Sequence, residues 1–168
     1  THLNLSKNFI GLHCASRQSM GDSYSSLGVE HFAIALQDTG RIVELDLSFN
    51  DIGPSNFEYL QRIFKSNVNI ELLNLDDCRI DELQVKKLCE ILADNKRLRY
   101  MYLSNNHIRV VGSEAVSKLI LTCTTLVELD LFNCKINEEG AAKIGAALRQ
   151  NFGIQKLSIG QNSIPNKE

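Results

Sequence analysis

Three side chains near the start of the chain are of types that could hold a metal or act as nucleophile and base: His13, Cys14 and His31. Zinc needs four ligands in paired spacing, and nothing nearby supplies the others. Gly140 and Gly145 have the spacing of a phosphate-binding loop. Ala146 and Ala147 follow, however, where such a loop needs Lys and a hydroxyl residue. Glu138 and Glu139 could pair as acid and base, but acidic residues also favour a helix N-terminus, which explains them without catalysis. No Ser-His-Asp or Cys-His constellation emerges. These residues point to no metal, no cofactor and no enzyme.

A second set is suited to binding. Glu44, Asp46, Phe49, Asp76, Asp77, Tyr100, Tyr102, Glu128, Asp130 and Phe132 flank short apolar pairs that recur along the chain. Aromatic side chains surrounded by charge are typical of a protein contact, because aromatics carry a large share of binding energy. The acidic surroundings would steer a basic partner. The same residues also fit a second role, since Asp, Ser and Asn solubilise an exposed sheet and aromatics favour strands. The basic residues Lys86, Lys87, Lys96, Arg97, Lys118, Lys143 and Arg149 fall mostly in helical stretches and read as a solvated outer face.

The elements that must position these residues come from a repeat. Leu45, Leu73, Met101, Leu129 and Leu157 each open a copy, and every step is 28 residues. Leu3 opens an earlier one. Each copy begins with an alternating apolar pair, such as Leu45 and Leu47, which predicts a strand with one face buried. Asn or Cys follows at Asn8, Asn50, Cys78, Asn106, Cys134 and Asn162. A buried Asn amide there would satisfy the backbone of neighbouring turns, and Cys tolerates the same burial. An apolar anchor comes next, at Ile10, Ile52, Ile80, Ile108, Ile136 and Ile164.

The rest of each copy predicts a helix. Phe57, Leu60, Ile63 and Phe64 lie at offsets of three and four, as do Val85, Leu88, Ile91 and Leu92. Val116, Leu119 and Ile120, then Ala141, Ile144, Ala147 and Leu148, continue the series. Pro54 sits early, where its missing donor costs nothing. Parallel strands stack about 4.8 Å apart whereas helices need about 10 Å, so the strand side must be the inside of a curve. The expected fold is an α/β solenoid: a horseshoe arc with a parallel sheet on the concave face and helices on the convex face.

The pattern LxLxx(N/C)xI with a full helix per repeat resembles the ribonuclease-inhibitor class of leucine-rich repeats, over essentially the whole chain. That resemblance implies the horseshoe and a non-enzymatic role in binding proteins. The class also includes Ran GTPase-activating protein and the ligand-sensing arms of NOD-like receptors. Either role is an alternative, although Lys7 and Arg17 in the first repeat form no recognisable GTPase-activating motif. Ribonuclease inhibitor is richer in cysteine and alternates repeat lengths, whereas this chain keeps a uniform step.

Two irregularities interrupt the repeat. Leu3 to Leu45 is 42 residues, so about 14 extra residues lie between Gly11 and Leu27. This Ser/Gly-rich stretch is either a neutral surface insertion or a loop that touches a partner. Neither end shows a polar cap, which suggests a stretch of a longer protein or an array whose outer repeats diverge. The expected organisation is one repeat domain over 1–168, with copies near 1–42, 43–70, 71–98, 99–126, 127–154 and a partial 155–168.

The bulk properties agree with this reading. The 168 residues carry a net charge of −2, which excludes the basic excess of a nucleic-acid binder or a membrane-surface binder. No apolar stretch approaches a spanning helix, and no signal-peptide pattern opens the chain. The five cysteines are odd in number and not closely paired, so they fit a reducing compartment. The expected location is cytoplasmic, with nuclear, cytoskeletal and ciliary sites as variants.

Overall fold

The computed structural model describes residues 1–8, 10, 27–37 and 39–165. The extra stretch after Gly11, with His13, Cys14 and Arg17, lies outside the described residues. Strands and helices alternate in the order β1 (His2–Asn4), α1 (Leu27–Gln37), β2 (Glu44–Asp46), α2 (Gly53–Ser66), β3 (Leu72–Asn74) and α3 (Glu82–Leu92). They continue through β4 (Tyr100–Tyr102), α4 (Arg109–Thr122), β5 (Glu128–Asp130), α5 (Glu138–Leu148) and β6 (Lys156–Ser158). The strands form one parallel sheet in sequence order, in matched register, with Leu45 beside Leu73 and Met101 beside Leu129. This is the expected leucine-rich-repeat solenoid, with sheet on one side and helices on the other. No described helix is long and apolar enough to cross a membrane.

The core runs between the two layers. Leu45, Leu47, Leu73, Leu75, Met101, Leu103, Leu129 and Leu131 enter it from the sheet, and all are buried. Phe57, Leu60, Ile63 and Phe64 meet them from α2, and the same face of α4 supplies Val116, Leu119 and Ile120. In α3 the buried set is Val85, Leu88, Cys89 and Leu92; Ile91, expected inside, is only partly covered because Cys89 takes the inward position.

The polar ladder between repeats is present. Asn106 Nδ2 donates to the carbonyls of Leu75, Leu103 and Ser104 at 2.8, 2.9 and 3.1 Å. Its Oδ1 accepts from Cys78 and Ile80 amides at 3.2 and 3.1 Å. Asn50 and Asn162 repeat the pattern one ladder step pair away on either side. Cys78 and Cys134 fill the intervening positions, each thiol donating to a carbonyl of the preceding repeat, Leu47 at 3.2 Å and Leu103 at 3.1 Å.

The uniform step conceals an alternation. A thiol cannot accept the two amides that Asn Oδ1 accepts, so the turn preceding each Cys repeat must find another partner. The Cys78 carbonyl accepts from Gly53, and the Cys134 carbonyl accepts from Ile108 and Arg109. The helices after Asn50 and Asn106 therefore start one residue earlier in the repeat; they also end later, and run 14 residues. Those after Cys78 and Cys134 start at an Asp81 or Asn137 cap and run 11 residues. Asp81 forms a full capping box with Gln84, and the Asn137 side chain caps at Gly140. The true structural period is thus two repeats, which spacing alone did not reveal.

Replacing Leu75 or Leu131 with Ala removes a fully buried side chain and should cost about 2–5 kcal/mol in urea unfolding. A loss near zero would contradict this register.

Candidate protein-binding surface on the concave sheet

Residues between the buried leucines of each strand face the opposite side of the sheet, and the register sets them in rows. The first row is Glu44, Leu72, Tyr100, Glu128 and Lys156. The second is Asp46, Asn74, Tyr102, Asp130 and Ser158. The residues two further along are Ser48, Asp76, Ser104, Phe132 and Gly160.

The second row has a structural duty that sequence reasoning missed. Asn4, Asp46, Asn74 and Asp130 each accept, through Oδ1, the amide of the residue two further on, at 3.0, 2.9, 3.0 and 2.9 Å. These Asx turns guide the chain out of the strand. Asp46 and Asp130 are half-buried by this role and do not simply face water as expected. The reason is geometric: a short side chain reaches its own backbone more easily than it reaches solvent.

Tyr102 breaks the rule. Its phenol cannot make the turn, so the Ser104 amide donates instead to Asp76 Oδ1 of the neighbouring repeat, at 2.6 Å. Asp76 stands at the position of Ser48 and Ser104, which are both buried, and is itself half-buried there. Burial pushes its carboxyl up to about 6, the bond from Ser104 opposes the rise, and the charges of Asp130 and Asp46 add to it.

Tyr100 and Tyr102 lie on β4 beside Leu72, and both are partly exposed. The Arg99 guanidinium sits 5.7 Å from the Tyr100 ring centroid. Phe132 is 39% exposed, and a Cβ at Gly160 would stand only 3.3 Å from its ring, so glycine there leaves the ring its place. The structure thus brings Tyr100, Tyr102, Phe132, Asp76, Asp130 and Glu128 together on β3–β5. Glu44 and Asp46 stand further along, on β2.

Glu128 pairs with Lys156 at 2.6 Å and Glu44 with His2 at 2.5 Å. Lys156 offsets Glu128, and the remaining carboxylates of the floor are Glu44, Asp46, Asp76 and Asp130. Phe49 and Asp77 are exposed on the turns beyond the strands, at the margin of the sheet, with left-handed φ of 57° and 50°. The position is shared by Lys7, Asn105, Asn133 and Gln161, all left-handed. Phe is the costly choice there. It is 48% exposed, and Lys7 Nζ lies 5.2 Å from its ring centroid.

Two of the family models for the leucine-rich repeat match, one over residues 42–55 and 122–145 and the other over 97–119. Those segments span the Leu-x-Leu strands, the ladder and the helices just described. The chain is a leucine-rich-repeat protein of the ribonuclease-inhibitor class. Mouse (Mus musculus) ribonuclease inhibitor is 29% identical over 140 residues, covering 82% of this leucine-rich-repeat chain and 31% of that protein. Mouse NACHT, LRR and PYD domains-containing protein 14 is 29% identical over 133 residues, covering 77% of this chain and 13% of that one. Human (Homo sapiens) NACHT, LRR and PYD domains-containing protein 13 is 24% identical over 180 residues, covering 98% and 17%. The chain thus spans about a third of the ribonuclease inhibitors and under a fifth of these NACHT proteins. Among solved structures, the Leiomodin-1 Actin-Binding Site 2 has the same fold, with TM-score 0.62 and 21% identity, covering 81% of this chain and 78% of that one.

Two predictions follow from the geometry. Phe49→Asn relieves the left-handed strain and should stabilise the fold by about 1 kcal/mol in thermal unfolding; destabilisation would show that the ring is needed for packing. A carboxyl raised in the folded state stabilises at low pH and loses that contribution as pH rises through about 6. Asp76→Asn should therefore match the parent near pH 4 and exceed its stability near pH 7.5. Parallel urea titrations showing the same difference at both pH values would refute this.

Proposed function

We propose that this chain is a non-enzymatic protein-interaction scaffold that seats a partner protein on its concave sheet. The observation that carries the reading is Tyr102. Its phenol replaces a turn-forming residue in a structural row and leaves the Ser104 amide to Asp76 of the neighbouring repeat, a departure that a merely solubilising residue would not require. Tyr100, Tyr102 and Phe132 act as anchors, with Leu72 on β3 as added apolar area. Asp46, Asp76 and Asp130 draw a basic segment toward them. The relatives fit this class of role: one is named for inhibiting a ribonuclease, and the fold neighbour is titled an actin-binding site.

Chemistry by this chain has little support. A cleft of about 290 Å3 between α3 and α4 is lined by Cys89, Val111, Ala115 and Leu119 together with Lys86, Glu90, Glu114 and Lys118. Burial pushes the Cys89 thiol up to about 12, which leaves it unreactive. Cys78, Cys89, Cys123 and Cys134 are buried free thiols, in keeping with a reducing cytoplasmic location. A second reading, the ligand-sensing arm of a larger receptor, is favoured by the match to NACHT, LRR and PYD domains-containing protein 13 along 98% of the chain. It requires a NACHT domain in the same polypeptide, which the full-length transcript would reveal.

The test uses substitutions that restore the residues usual in each row, so that folding is spared. Tyr102→Asn with Phe132→Ser should lower capture of partners from cell extract at least about tenfold, as expected for loss of anchor residues. Lys86→Glu with Lys87→Glu on the convex face should leave capture unchanged. Equal capture by all three proteins would refute a concave site.

A further inference from the structure

The basic residues do not all lie on the helices. Helix α3 ends at Leu92, and Lys96 and Arg97 stand on the loop that leads into β4, followed by Arg99. All three are exposed. They surround a shallow depression of about 290 Å3, whose remaining lining is Glu71, Thr125 and Val127. Three cations face one carboxylate there, on a chain whose net charge is −2.

Local contacts hold the cations in place. Arg97 Nε lies 3.3 Å from Glu71 and its Nη1 donates to Asn69 Oδ1 at 3.4 Å. The Arg99 guanidinium rests near the Tyr100 ring, and Lys96 Nζ donates to the Ala93 carbonyl at 3.4 Å. Side chains ordered in advance lose less entropy when an anion arrives.

Apolar side chains flank the cations along the same edge. Val68, Lys96, Thr124 and Phe152 occupy equivalent positions in successive repeats, 28 residues apart. Val68 is 61% exposed and Phe152 97%. Lys96 and Thr124 have a repeat on either side and are exposed as well, so Phe152 owes its exposure to the position and not to its place near the end of the array. Two large apolar groups held in water at the two sides of a cationic depression suit a partner better than they suit solubility.

We infer that this loop edge is a second contact surface, which takes an extended acidic segment of a partner protein. Its carboxylates meet Lys96, Arg97 and Arg99, and apolar residues at its ends rest on Val68 and Phe152. The span of three repeats is roughly 15–25 Å, which five to seven extended residues cover. A flat anionic membrane fits less well, because the adjoining concave face carries Glu44, Asp46, Asp76, Glu128 and Asp130. The inference stands apart from the concave reading, since it uses different residues and the opposite charge.

The probe is a fluorescein-labelled hexapeptide of four glutamates flanked by Phe and Leu, followed by anisotropy with the full chain. The parent should bind, more weakly as salt rises. Arg97→Gln with Arg99→Gln, and separately Phe152→Ser, should each weaken binding at least about tenfold while circular dichroism stays unchanged. Lys86→Gln with Lys87→Gln, and the concave variant Tyr102→Asn, should bind like the parent. Equal binding by the edge variants, loss in the concave variant, or equal binding of a peptide with lysines for glutamates would overturn the inference. So would phosphatidylserine vesicles that bind in place of the peptide and are lost with the same arginines.

Discussion

Every other feature of this protein depends on how the backbone is satisfied where each strand turns toward its helix. These turns are buried between repeats, away from water, and an unpaired amide or carbonyl there costs about 1–3 kcal/mol. A single Asn amide satisfies groups on two repeats at once, and so ties the repeats together at a fixed spacing. Asn67 and Asn95 do comparable work at the other end of the helices, where Asn67 Nδ2 donates to the Leu36 carbonyl and Asn95 Nδ2 to the Ile70 carbonyl. Among the described residues, no fully buried side-chain nitrogen or oxygen lacks a partner. The register of the sheet, and so the rows of side chains on its open face, follow from that ladder.

Replacing Asn with Cys at alternate steps changes what the neighbouring turn must do. The thiol donates once and accepts weakly, so carbonyls of the Cys repeats take over the freed amides and the helices alternate in where they start. The leucine core is indifferent to this exchange. The repeat is therefore uniform in sequence length and twofold in structure, a tolerance that comes from separating the apolar core from the polar ladder.

The fold was legible because its main determinants are periodic: the paired leucines, the ladder residue, the isoleucine anchor and the helical stripe all recur at one interval. The alternation was less so. Asn50, Cys78, Asn106 and Cys134 displayed it openly, but its consequence for helix starts depends on which carbonyl reaches which amide. The concave rows were legible as positions, and Tyr100, Tyr102 and Phe132 stood out by type. What could not be read was the turn-forming duty of Asp46 and Asp130, because one side chain serves solvent and backbone alike. The placement of Asp76 was hidden too, since its partner is the Ser104 amide of the next repeat. Lys96 and Arg97 were read as helical because the short α3 ends before them.

The most direct test of the account is hydroxyl-radical footprinting of the protein with and without its captured partner, read by mass spectrometry. Tyr100, Tyr102 and Phe132 should be protected in the complex, while Leu83 and Val111 on the helical side react as in the free chain. Protection confined to the helical side, with those three aromatics as reactive as before, would contradict a binding surface on the concave sheet.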